Sequence, residues 1–108
     1  MSSTMQDAAG LARLRELPRS ERRDTLTELV VDEFKASLMM TAAEDLPTGS
    51  SYFELGFTSL LILEVKERLE TLLGHPISAN TLFNQPTVDR LVDHLAAGVL
   101  ADLFDPTP

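Results

Sequence analysis

The stretch "LGFTSLLILEVKERL", residues 55–69, decides how the chain is read. Gly56 supplies the backbone freedom of a turn, Thr58 and Ser59 are both helix-capping residue types, and an apolar run with helical spacing follows. On a helical wheel started at Ser59, Ile62, Val65, Leu69 and Leu72 cluster between about 220° and 300°, with Leu61 and Leu73 beside them. That is a sufficient core stripe. Leu60, Leu63, Glu64 and Glu67 fall at about 40° to 140°, on the face expected in solvent. Single exposed leucines are common on proteins, but two of them ringed by acids next to a serine at a helix mouth suit a docking surface.

Ser59 stands where the free amides and the positive end of a helix dipole converge, so a phosphate on its oxygen is electrostatically favoured. A serine at such a place ordinarily serves as the N-cap. Thr58 offers the alternative: if it takes the cap, Ser59 becomes the first helical residue and its hydroxyl is free for modification.

Outward from this stretch the pattern stays helical. Gly74 closes the helix over about 59–73 as a left-handed cap residue, with Pro76 close behind. Ser78 can cap a short helix within "ISANTLFNQ", and Pro86 then breaks the chain. Thr87 caps a last helix over about 88–99, striped by Val88, Leu91, Val92, Leu95 and Val99.

On the N-terminal side, Ser20 as cap, Glu21 in the first turn and the spacing of Leu26, Leu29, Val30, Phe34 and Leu38 predict a helix over about 21–39. "TAAEDLPTGSSYFELGF", residues 41–57, is a long loop that Leu46, Phe53 and Leu55 are expected to pin to the core. Leu11, Leu14 and Leu17 stripe a short helix that Pro18 ends, forming a structured linker. Residues 1–10 are small and polar and read as disordered, and "DLFDPTP" reads as a tail. The expected fold is all-α: a small four-helix bundle of three longer helices and one short helix, with a long loop between helices one and two. The expected organisation is a disordered N-terminus and linker over 1–19, one domain over 20–99 and a tail over 100–108.

A chain of 108 residues suits one small core. With no cysteine, disulfides, thiolate metal sites and a cysteine nucleophile are excluded. Arg13, Arg15, Arg19, Arg22 and Arg23 make the first 23 residues net basic, so the formal charge of −8 comes from the rest. An acidic body repels phosphate backbones and anionic lipid and attracts proteins with basic patches, which argues against nucleic-acid and membrane partners. No apolar run is long enough to span a bilayer and the start lacks a signal-peptide layout, so a cytoplasmic location is expected. His75 and His94 have no nucleophile at a readable spacing, and Glu64, Glu67 and Glu70 lack a histidine cluster. Neither catalytic residues nor a metal site is expected.

"FELGFTSLLILEVKERLE", followed by "ISANTLFNQPTVDRLVDHL", resembles an acyl carrier protein domain, most like those of type I polyketide synthases. The resemblance spans roughly residues 20–97, and "LRELPRSERRDTLTELV" is similar to the linker and first helix that precede such domains. In that family the serine of a Gly-x-Asp-Ser-Leu motif carries 4′-phosphopantetheine, whose terminal thiol bears an acyl chain as a thioester. Here the motif stands as Gly56, Phe57, Thr58, Ser59 and Leu60, so the resemblance implies Ser59 as the attachment site, flanked by Gly56, Thr58 and Leu60. Thr58 replaces the usual aspartate, removing a carboxylate that a transferring enzyme could engage directly or through its metal.

What the resemblance implies is carriage rather than catalysis: tethering of acyl or polyketide intermediates and their presentation to partner enzymes. The implied partners are a phosphopantetheinyl transferase, then ketosynthase, acyltransferase and other synthase domains, with the isolated domain monomeric. Leu60, Leu63, Glu64 and Glu67 are the expected partner-docking residues. Two other readings stay open. One is a peptidyl carrier of nonribosomal peptide synthesis, whose motif usually has glycine where Phe57 stands; the other is an unmodified helical interaction module.

Overall fold

The structure, a computed structural model, describes residues 9–41, 43–98 and 100–104. Among them there are helices and loops and no strand: α1 is Ala9–Arg15, α2 Arg19–Ser37, α3 Ser59–Leu73, α4 Ala79–Asn84, α5 Val88–Ala97 and α6 Ala101–Phe104. The three longer helices α2, α3 and α5, with the short α4, form the expected bundle. α2 lies centrally, packed on both α3 and α5.

The apolar spacing of each helix becomes one shared core. α2 buries Leu26, Val30 and Phe34; α3 buries Ile62, Val65, Leu69 and Leu73; α5 buries Val88, Leu91, Val92 and Leu95. Leu73 rather than Leu72 completes the α3 stripe. Leu72 instead meets α1, where Gly10 comes so near that a Cβ there would lie 2.7 Å from the Leu72 Cγ. α1 therefore approaches α3 at a position only glycine fits without displacement.

Several boundaries differ from expectation for physical reasons. α2 begins at Arg19 with Pro18 as its N-cap, at φ −58° and ψ 148°, and no side chain caps it; Ser20 lies inside the helix. The proline ring already holds the chain in the entering conformation, and its carbonyl accepts the Glu21 N–H at 2.9 Å. α2 ends in a Schellman arrangement, with the Met39 N–H donating to the Ala36 carbonyl and the Met40 N–H to that of Lys35, so Met39 adopts φ 59°. α5 stops at Ala97; Val99, expected in its stripe, lies outside the described residues.

Of the three residues expected to pin the long loop, Leu46 is buried and Leu55 packs partly against the core, but Phe53 is half exposed. Tyr52 and Phe57 hold the loop instead. Phe34 stacks on Tyr52 with ring centroids 4.8 Å apart and meets Phe57 edge-on at 5.1 Å. The Tyr52 N–H donates to the Pro86 carbonyl at 2.9 Å and its hydroxyl to the Thr87 carbonyl at 3.2 Å, fastening the loop to the start of α5. Burial pushes this phenol well above the ordinary tyrosine range, so it stays a neutral donor.

The segments expected as linker and tail also join the core where they are described. Leu14 of α1 and Leu100, just before α6, are fully buried, and Leu103 nearly so. Of residues 1–10, expected as a disordered start, Ala9 and Gly10 instead open α1, with Gly10 buried against α3; residues 1–8, and 105–108 of the expected tail, lie outside the described residues.

Candidate functional site

The sequence builds the mouth of α3 in three steps. Ser51 starts the turn with two bonds: its N–H donates to Glu54 Oε1, and its Oγ accepts from the Phe53 N–H, both at 3.3 Å. Gly56 then takes φ 104°, a conformation open to glycine, with nothing within 4 Å of where a Cβ would stand. Backbone conformation, rather than space, requires glycine there. Finally Phe57 drops into the core against Phe34, and its N–H donates to the Tyr52 carbonyl at 3.0 Å. The turn is thereby held from below.

Thr58 follows in extended conformation as the N-cap of α3, and its Oγ1 accepts from the Leu61 N–H at 3.2 Å. Ser59 is the first helical residue and is exposed. Of the two capping types in tandem, the threonine caps and the serine presents its hydroxyl beside the amides of a 15-residue helix. At the other end, Gly74 closes α3 in the left-handed conformation at φ 69°.

The outward face of α3 follows the wheel. Leu60 is 79% exposed and Leu63 37%, with Glu64 and Glu67 exposed beside them. The three carboxylates of α3 differ in their surroundings. Glu64 Oε2 accepts from Arg68 Nε at 3.2 Å, and the same guanidinium lies 3.6 Å from Glu33 of α2. Glu70 accepts the Ile77 N–H at 2.7 Å and the Lys66 ammonium at 3.1 Å. Those bonds, the backbone one foremost, hold its carboxyl below the usual range. Glu67 has no hydrogen-bonded or ion-paired partner among the described residues.

Sequence reasoning did not single out Phe83, an exposed aromatic on α4, because apolar residues in so short a helix offer too little periodicity to separate inside from outside. His94 is exposed and His75 partly so. Among the described residues no three histidine or carboxylate side chains gather as a metal site, and no helix is long and apolar enough to cross a membrane.

A serine presented at a helix mouth suits a phosphate-linked group, because its oxygen is accessible and the helix end favours the phosphodiester charge. Comparison with known proteins gives the family. Residues 24–95 match the family described as the phosphopantetheine attachment site. The chain is 36% identical over 83 residues to the spectinabilin polyketide synthase system protein NorC of Streptomyces orinoci, covering 77% of this chain and 4% of that protein. It is 34% identical over 101 residues to the pikromycin polyketide synthase component PikAIII of Streptomyces venezuelae, covering 94% of this chain and 6% of that protein. It thus spans only a small part of the length of these relatives. Among solved structures, the A1-type ACP domain from module 5 of MLSA1 superposes with a TM-score of 0.71 at 32% identity, covering 84% of this chain and 93% of that one. The bundle, the serine-bearing mouth of α3 and these likenesses agree: the chain belongs to the phosphopantetheine attachment family, which carries 4′-phosphopantetheine, and is an acyl carrier domain similar to those of polyketide synthases.

Proposed function

We propose that Ser59 bears the 4′-phosphopantetheine arm and that the domain carries acyl or polyketide intermediates between the active sites of a polyketide synthase. The observation that carries this reading is the division of labour at the α3 mouth: Thr58 Oγ1 occupies the cap while Ser59 is exposed. The bound group supplies a thiol for thioester formation on a long flexible arm. The chain's own residues position it. Gly56 and Phe57 fix the turn, the helix end stabilises charge next to Ser59, and the buried side of α3 keeps the attachment point on a rigid element. Tethering then raises the effective concentration of the carried chain at each partner.

In this reading the domain contributes carriage and its partners contribute catalysis. The first partner is a phosphopantetheinyl transferase, and the later ones are the ketosynthase, acyltransferase and other domains of the same assembly. Leu60 and Leu63 provide apolar contact, and the acids of α3 attract basic surfaces. The carrier unit proposed here extends from α1 to α6, because Leu14, Leu100 and Leu103 share its core.

Intact mass before and after incubation with a transferase and coenzyme A tests the reading. One phosphopantetheinyl addition, absent in Ser59→Ala, supports it. A folded chain that stays at its unmodified mass with a transferase that loads a control carrier favours the unmodified interaction module.

A further inference from the structure

The carboxylates of α3 look equivalent in sequence, at three-residue spacing, but the structure separates them. Lys66 lies against Glu70, whose other oxygen is taken by the Ile77 N–H. Arg68 lies between Glu64 on its own helix and Glu33 on α2. Glu67, on the face that carries Leu60 and Leu63, has no such partner among the described residues. The outward face of α3 is thus flanked by carboxylates whose charge is already countered from within the chain.

We propose that Arg68 is a specificity-determining residue of the docking face: by holding Glu64 and Glu33 it withholds their charge from basic partners and leaves Glu67 as the carboxylate of α3 that such partners meet. This rests on the reading of the Leu60 and Leu63 face as the docking surface. The favoured occupant is a protein presenting lysine or arginine beside an apolar pocket, since a countered carboxylate offers less long-range attraction than an uncountered one. The Arg68 pairs are partly exposed, with 44% of the Arg68 side chain accessible. They are weak enough for a partner's cation to compete for the same oxygens, so the residue grades partners by the strength of their basic patch.

The test uses the full chain, a phosphopantetheinyl transferase with a basic docking surface, and coenzyme A, with kcat/KM measured over a range of salt. Arg68→Gln is expected to raise kcat/KM about two- to fivefold at low salt, the size set by exposed ion pairs, and to steepen its fall with salt. Glu64→Gln is expected to lower kcat/KM more in the Arg68→Gln background than in the native one, and Arg68→Lys to behave between native and Arg68→Gln. A purely structural role would shift the melting temperature of Arg68→Gln without steepening the salt dependence. That outcome, or an unchanged or lowered kcat/KM in Arg68→Gln while Leu60→Ala still impairs loading, overturns the role of Arg68 and leaves the docking face standing. If Leu60→Ala and Glu67→Gln both load like the native chain, the docking reading itself fails and the proposal with it.

Discussion

Arg22 and Leu103 are joined across 81 residues of chain: the Arg22 Nη1 donates to the Leu103 carbonyl at 2.8 Å. The same guanidinium donates from Nε to the Leu17 carbonyl at 2.9 Å and from Nη2 to that of Arg15 at 3.2 Å. One planar fork therefore satisfies carbonyls at the end of α1, in the turn after it and in α6, fastening both ends of the described chain to α2. Arg22→Ala leaves these carbonyls without their donor and is expected to lower stability by about 2 kcal/mol, measured by denaturant unfolding. A change within about 0.5 kcal/mol would mean that the flanking helices hold by apolar packing alone.

Met39 occupies the left-handed position that closes α2, at φ 59°, and is 89% exposed. Its side chain contributes little while its Cβ strains the backbone. Met39→Gly is expected to stabilise the domain by about 1 kcal/mol, in contrast to glycine substitutions inside α2. A destabilised variant would show that this conformation is not under strain.

Glu70 joins α3 to the segment leading to α4 through the Ile77 N–H, and its carboxyl is held below the usual range. A depressed carboxylate contributes stability that is present above its unfolded pKa and lost as pH falls through its folded one. Glu70→Gln should therefore be less stable than the native chain at neutral pH, with the difference shrinking on acidification below the ordinary glutamate range. Melting curves across pH check this; a pH-independent difference would assign the loss to geometry rather than charge.

Leu69 and Leu60 sit on opposite sides of α3, fully buried and 79% exposed respectively. Leu69→Ala is expected to cost ~2 to 5 kcal/mol of stability. Leu60→Ala should barely move the melting temperature yet slow transferase loading, since an exposed leucine adds little to the fold. Unfolding of Leu60→Ala, with loading of the folded fraction unchanged, would return that leucine to the core.

The sequence made legible what depends on periodicity and on short-range chemistry. Phe34, Val65, Leu69, Leu91 and Leu95 follow from 3.6-residue spacing, and the caps Ser78 and Thr87 from residue type next to an apolar run, while residue type left Thr58 and Ser59 as rival caps of α3 and misplaced the cap of α2 at Ser20. What escaped depends on distant partners. Tyr52 and Phe57, rather than Phe53, anchor the loop because Phe34 and the start of α5 receive them, which no local pattern encodes. Leu100 and Leu103 read as a tail because so few residues carry no period; α2 and Arg22 give them a place. At the candidate site, Gly56 as the turn and Thr58 and Ser59 as tandem capping types were readable, whereas Phe57 as the anchor beneath them came only with the fold, as did Glu33 of α2 as the second partner of Arg68 beside its own-helix partner Glu64.

On the proposed reading, the hydroxyl of exposed Ser59 at the start of α3, and no other, takes the prosthetic group. Intact-mass and peptide-level mass spectrometry of the native chain, Ser59→Ala and Thr58→Ala after transferase treatment tests it most directly. Thr58→Ala should lose about 1 kcal/mol of stability with the cap yet still be loaded on Ser59. Ser59→Ala should keep its helical spectrum and gain no mass. Phosphopantetheine found on folded Ser59→Ala, or located on any residue but Ser59 in the native chain, would contradict the account.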